Sequence, residues 1–196
     1  MATTDSRNDP HYGTLSPRDE LLRVASRMFY EEGINAVGVD RVISRAGIAR
    51  ATLYRHFGGK EGLVSAYLSR EDALIRSRFI EAEREAVSPT HQLELLINGI
   101  AEDAARFHTR GCPFINAAAE FPDESSAVRQ VVTKHRGWFR STIDDALRSA
   151  GRDDSAKRAL KLVILRDGML AGGCLDNASE TRTAFVESAR EIAGLA

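Results

Sequence analysis

The chain has 196 residues, 43% of them hydrophobic, and a formal net charge of −1. That is apolar material for one or two packed domains, and the charge is too balanced for a generally basic nucleic-acid coat. Two cysteines, Cys112 and Cys174, exclude a disulfide framework and offer no zinc-ligand spacing, and no apolar run is long enough to cross a bilayer.

No charged start leads into an apolar signal segment, so a cytoplasmic location without a membrane partner is expected. Residues 1–15 mix Ser, Asn, Asp, Gly and Pro with few apolar groups and read as a flexible tail. Ser16-Pro17-Arg18-Asp19 is a helix start, with Ser16 as cap, Pro17 at the first helical position and Asp19 near the positive end. Leu21, Leu22, Ala25, Met28 and Phe29 make the apolar stripe of that helix, and Gly33 stops it.

The segment from Val39 to Lys60 carries the strongest signal. Residues 1–62 hold nine Lys/Arg and eight Asp/Glu, yet 41–60 holds five basic residues and no acid. Val39, Val42, Ile43 and Ala46 fall on one helical face, which puts Arg41 and Arg45 together on another. Gly47 supplies a left-handed stop, Ile48 buries under the turn, and Leu53 and Phe57 anchor a short next helix. Arg50, Ala51, Thr52, Tyr54, Arg55 and His56 are left to face outward. Cationic, hydroxyl and aromatic groups on one short helix suit phosphates and base edges in a major groove, so the pattern reads as a helix-turn-helix.

Gly58-Gly59 turns the chain into a longer helix with Leu63, Val64, Tyr67, Leu68, Leu74 and Ile75 inward. After Ser88-Pro89-Thr90, Leu93, Leu96, Ile97, Ile100, Ala104 and Phe107 repeat the helical period. Arg110-Gly111-Cys112-Pro113 is a break before a short apolar segment ending at Phe121-Pro122. Val128 to Leu147 is again helical, and Gly151 closes it. The next helix, about Asp154 to Asp176, has two apolar faces: Leu160, Val163, Ile164, Leu170 and Ala171 on one, Leu162, Leu165 and Met169 on the other. Both faces must be buried, and the second is assigned to a partner. A last helix runs from about Ser179 to Ala193. No segment reads as a strand, so the chain is all-α.

Arg18 to Lys60 resembles the N-terminal DNA-binding domain of TetR-type transcriptional regulators. The matching residues are Ala25 and Phe29 before Gly33, then Val42, Ala46-Gly47-Ile48, Thr52-Leu53-Tyr54, His56-Phe57 and Lys60-Glu61. The resemblance implies a three-helix head at 16–61 and a body of about six helices at 62–196 that binds an effector and dimerises through residues 154–193. It also implies a double-stranded DNA operator of near-palindromic sequence. Gly38 and Ala49 depart from the pattern, because Ser or Thr commonly caps those two helices, and Ala51 stands where Gly is frequent.

On this reading Arg45, Arg50, Ala51, Thr52, Tyr54, Arg55, His56 and Lys60 contact DNA. Lys60 opposes the dipole of its own helix, a placement that suits a phosphate better than stability. Phe107, Phe114, Trp138 and Phe139, with Asn116, Glu120, His135 and Asp167, are the candidates for a pocket that takes a small amphipathic or aromatic effector. Asp167 on an apolar stripe needs a partner, either an Arg or His of the body or a polar group of the effector. A catalytic triad, metal cluster or phosphate loop is not legible, so the expected protein is not an enzyme and needs no cofactor or metal. A ligand-independent regulator, or a redox sensor acting through Cys112 at a helix start, stays open as the alternative.

Overall fold

The computed structural model describes residues 15–195, so all but the last residue of the segment read as a tail lies outside the described residues. Among the described residues there are nine α-helices and no strand. The head comprises α1 (Pro17–Glu32), α2 (Val39–Ala46) and α3 (Arg50–Phe57). The body comprises α4 (Lys60–Glu85), α5 (Pro89–Arg106), α6 (Pro113–Glu120), α7 (Ala127–Ser149), α8 (Ser155–Gly172) and α9 (Ala178–Ala193). None of these helices is long and apolar enough to cross a membrane.

The head is set by its punctuation. The Ser16 hydroxyl accepts from the Asp19 N–H at 3.1 Å, satisfying one of the free donors at the start of α1. Leu21, Leu22, Ala25, Met28 and Phe29 then bury against Val42 of α2 and Leu53 of α3, one contiguous core. Gly47 closes α2 at φ 66°, a left-handed conformation that costs other residues energy. Neither Gly38 nor Ala49 offers a side-chain cap to the helix it precedes. Those first-turn N–H groups of α2 and α3 therefore rely on other acceptors.

Head and body share α4 rather than a linker. Its first turn runs so close to the end of α3 that a Cβ on Gly62 would lie 1.8 Å from the Phe57 carbonyl oxygen. Beyond that crossing, Leu63, Val64, Tyr67, Leu68 and Ile75 carry the core from the head into the body. There Leu93, Phe114, Val128, Phe139, Ile143, Leu147 and Phe185 continue it through α5, α6, α7 and α9.

The two-faced helix departs from its sequence reading. Ala159, Leu162, Val163, Arg166, Met169 and Leu170 form the inner arc of α8, so Leu162 and Met169 are core and Leu165 is half-buried. The exposed stripe is Leu160, at 41%, and Ile164, at 61%, continued by Gly168 and Ala171. The physical reason is that α7 and α9 both pack on α8. Between them they cover an arc wider than one apolar stripe. The helix also ends at Gly172, four residues before the expected Asp176, because Gly172 and Gly173 begin a turn closed by the Asp176 N–H on the Gly172 carbonyl at 2.8 Å.

Candidate nucleic-acid interface and body cavity

Leu53, fully buried, and Phe57, under the Arg18 guanidinium at 5.4 Å, pin the inner side of α3 to the head. That packing turns Arg50, Ala51, Tyr54, Arg55 and His56 outward, with Thr52 half-buried beside them. Arg45 is exposed on α2, and Arg55 lies 3.4 Å from the ring of His56. The Lys60 ammonium donates to the Asn35 carbonyl at 3.4 Å, beside the turn between α1 and α2. All eight residues expected to meet DNA thus belong to α2, α3 and the start of α4.

The acid-free run of 41–60 is not acid-free in space. Arg41 pairs with Glu32 at 2.6 Å, and Arg50 pairs with Asp40. Among the described residues, no carboxylate pairs with Arg45, Arg55 or Lys60. Those three cations are the free positive charge of the head.

Three sets of polar contacts tie the head and the first turn of α4 to the rest of the body. The Tyr30 hydroxyl accepts from the Arg110 N–H at 2.8 Å and donates to the Gly111 carbonyl at 3.1 Å. Burial pushes that phenol up to about 12, so it keeps its proton. The Glu120 carboxylate, at the end of α6, accepts from the Ile34 N–H at 2.9 Å and from the Asn35 N–H. Glu61 accepts from the Ala127 N–H at 3.0 Å, at the start of α7. Sequence reasoning missed Tyr30 and Glu61 here, and it placed Glu120 in the effector pocket. The two N–H groups freed after Gly33 are a stronger claim on that carboxylate than any site in the body.

The body contains a cavity of about 40 Å³ between α4, α5, α7 and α8. Ile75, Phe79, Leu95, Leu96, Ile100, Phe139 and Leu170 give it apolar walls, and Arg78, Asp103 and Arg166 are its charged members. On its outer side, a groove of about 480 Å³ shares Arg78, Ala82, Leu95, Gly99 and Asp103 with it.

Of the eight residues expected at an effector site, Phe139 lines this cavity. Phe107 is 52% exposed at the end of α5, with the Arg78 guanidinium 4.2 Å from its ring, and borders the outer groove. Phe114 is core, stacked on the His135 ring at 3.6 Å. His135 bonds Asp72 at 2.8 Å through Nδ1, and burial pushes it down to about 4 despite that carboxylate. Trp138 sits 4.1 Å from the Arg76 guanidinium and 5.2 Å from Phe79, one ring away from the cavity. Asn116 is exposed and donates to the Arg110 carbonyl at 3.1 Å. Asp167 is paired with Arg136 at 2.8 Å and Arg166 at 3.1 Å, the intramolecular one of its two sequence readings.

The sequence reading overlooked Arg78 and Arg166. Arg166 had a visible signal, since it falls in line with Leu162, Val163, Met169 and Leu170 on a helix face that has to be buried. Cys112 is 2% exposed and accepts from Arg166 at 3.2 Å, so an oxidant reaches it only if the packing around the start of α6 opens.

Residues 21–67 match the description "Bacterial regulatory proteins, tetR family", and residues 89–165 match "Tetracyclin repressor-like, C-terminal domain". A crystal structure of a TetR-family transcriptional regulator from Streptomyces coelicolor is 37% identical, with a TM-score of 0.86 over 91% of this chain and 94% of that one. The HTH-type transcriptional regulator LmrA of Bacillus subtilis is 24% identical over 81% of this chain and 84% of its own length. The HTH-type transcriptional repressor KstR2 of Mycolicibacterium smegmatis is 31% identical over 55% of this chain and 53% of its own.

Proposed function

The chain belongs to the TetR family and is a DNA-binding transcriptional regulator, not an enzyme, and from that premise we propose a ligand-responsive repressor that binds a near-palindromic operator as a homodimer. The observation that carries the proposal is the outward face of α3, whose neighbours Arg45, Arg55 and Lys60 have no carboxylate partner among the described residues. Arg50, Ala51, Thr52, Tyr54 and His56 read base edges and the sugar–phosphate wall, while Arg45, Arg55 and Lys60 hold phosphates.

Dimerisation through α8 and α9 is supported by the Leu160–Ile164 stripe, an exposed apolar strip that Gly168 allows a second backbone to approach. Two heads on one duplex must stand about 34–36 Å apart or a multiple of it, so a modest change in the body releases DNA. An effector held among α4, α5, α7 and α8 biases the body, and the contacts of Tyr30, Glu61 and Glu120 carry that bias to the head. Ligand and operator then weaken each other by the same factor.

Selection from a random duplex pool tests the DNA half of this proposal. A two-fold related site of about two helical turns is expected, with affinity falling steeply as salt rises. Enrichment of no such site sinks it. Ile164→Glu tests the dimer half, by sedimentation at micromolar concentration. Monomers of the variant against dimers of the parent are expected, and a parent that is already monomeric refutes the interface.

A further inference from the structure

We propose that the body cavity takes an apolar carboxylate, with the anion held by Arg166 at the inner end and Arg78 at the outer wall, a class assignment that rests on the body being an effector site. The starting point is an imbalance of charge on the cavity wall. Arg166 is only 5% exposed, yet its carboxylate partner, Asp167, is shared with a second guanidinium, that of Arg136. Its other polar contact is the Cys112 sulfur at 3.2 Å, a weak acceptor. A buried cation that shares one carboxylate with another cation is under-compensated, and burial makes that costly.

The surrounding groups do not repair the deficit. His135 and His108 are both pushed down to about 4 by burial, with the charge of Arg166 adding to the effect, so neither carries charge near neutral pH. Asp72 is engaged by Arg76 at 2.6 Å and by His135. Glu71 lies 4.0 Å from His108, is not part of the cavity wall, and is pushed up by burial. Asp103, the one acid on the wall, is held by Arg78 and by His108. Two guanidiniums against one carboxylate therefore face the space.

The rest of the wall selects what the anion must be attached to. Ile75, Phe79, Leu95, Leu96, Ile100, Phe139 and Leu170 offer dispersion contacts and no hydrogen bonds, which excludes sugars and nucleotides. A planar carboxylate matches the donor fork of a guanidinium. At about 40 Å³ the cavity holds no more than about three waters, so the apolar tail must extend past Gly99 into the outer groove. A Cβ on Gly99 would meet nothing within 4 Å, so there is space on that side of α5. Glu81, Glu85 and Glu102 outnumber Arg106 along the groove, and that balance favours the orientation with the carboxylate inward.

Octanoate, octanamide and octylamine, titrated without DNA, test the class. The readout is the fluorescence of Trp138, the only tryptophan, which is coupled to the cavity through Phe79. Octanoate is expected to bind saturably and at least about tenfold tighter than octanamide, with octylamine weakest. Arg166→Met should erase that preference and Arg166→Lys should keep part of it. Should Arg166→Met fail to fold, Gly99→Leu serves instead, since it fills the space without removing a charge and should abolish octanoate binding. Octanamide binding as tightly as octanoate, an unchanged preference in Arg166→Met, tight octanoate binding by Gly99→Leu, or no saturable octanoate binding at all each overturns the proposal. Octanoate that binds but leaves operator affinity unchanged refutes the ligand-responsive regulator and leaves the class assignment standing.

Discussion

In the head, the cations of α2 and α3 stand in water, and what positions them is mostly backbone: the left-handed turn at Gly47, a buried Leu53, and a helix crossing that only Gly62 permits. In the body, Arg166, His108 and His135 lie inside, positioned by carboxylates: Asp167 next along α8, Asp103 near the end of α5, and Asp72 on α4. The head is thus rigid in shape with its chemistry on the surface, and the body keeps its chemistry in the core. A surface site tolerates loss of a charged group and fails on a backbone clash. A buried network should do the reverse.

Gly62→Ala is the most severe way to sharpen this contrast. Its Cβ would meet the Phe57 carbonyl at 1.8 Å, and a backbone atom cannot step aside without moving α3. A loss of about 3 kcal/mol or more is expected in urea denaturation, at the upper end of over-packing costs. Gly99→Ala, in the open wall of the body, should instead gain up to about 1 kcal/mol from helix propensity. Equal effects at the two glycines would break the comparison.

Acid should unfold the protein through the body. His108 and His135 are pushed from 6.5 down to about 4, chiefly by burial, so the folded state resists the protons that the unfolded chain accepts. Unfolding therefore takes up protons between these values. Stability is whole above pH 6.5 and is lost as pH falls towards 4, at about 1.4 kcal/mol per unit for each histidine. The urea midpoint measured across that range checks the sign, and His135→Phe should flatten part of the slope. A midpoint that rises on acidification would show that the two rings gain protons in the folded state.

Glu120→Ala sits where the two regions meet. It leaves the Ile34 N–H, on a residue 2% exposed, without its acceptor, and a cost of about 1–3 kcal/mol is expected. The variant should still bind operator but respond less to any effector, as read by anisotropy of a labelled duplex with and without ligand. An undiminished response would assign the coupling to Tyr30 and Glu61 instead.

The legibility of the two regions follows the same division. Ser16, Gly33, Gly47 and the Leu53–Phe57 anchor act on neighbours within a few residues, so their roles can be read along the chain. Eight of the nine helices are legible by the same local periodicity, and α6 only as a short apolar segment that opens at Pro113. Glu120 bonds residues 85 and 86 positions away, and His135 bonds one 63 positions away, distances at which sequence spacing carries no information. The aromatic candidates show the limit most clearly, since Phe114 and Phe139 share the same helical period, yet Phe114 is core stacked on His135 while Phe139 lines the cavity. On α8 the periodicity was visible and the direction was not, because only the packing of α7 and α9 decides which stripe faces out.

The smallest expected effect concerns Asp40, the acid that the linear 41–60 window leaves out by one residue. It pairs with Arg50 across an exposed surface, side chains 58% and 71% accessible, so the pair itself contributes no more than about 1 kcal/mol. Asp40 also sits in the first turn of α2, where its charge offsets the helix dipole, so Asp40→Asn should cost only a few tenths of a kcal/mol to about 1 kcal/mol of stability. On DNA the same change removes a negative charge from beside the phosphates and releases Arg50. Operator affinity should rise up to about fivefold at low salt, and the gain should shrink as salt screens the surface. Anisotropy titrations at two salt concentrations, with Arg50→Ala and the double variant completing a cycle, separate release of Arg50 from simple loss of repulsion. A weaker operator complex for Asp40→Asn would mean that the carboxylate holds Arg50 in its reading pose, and Asp40 would then join the residues of the DNA-binding face.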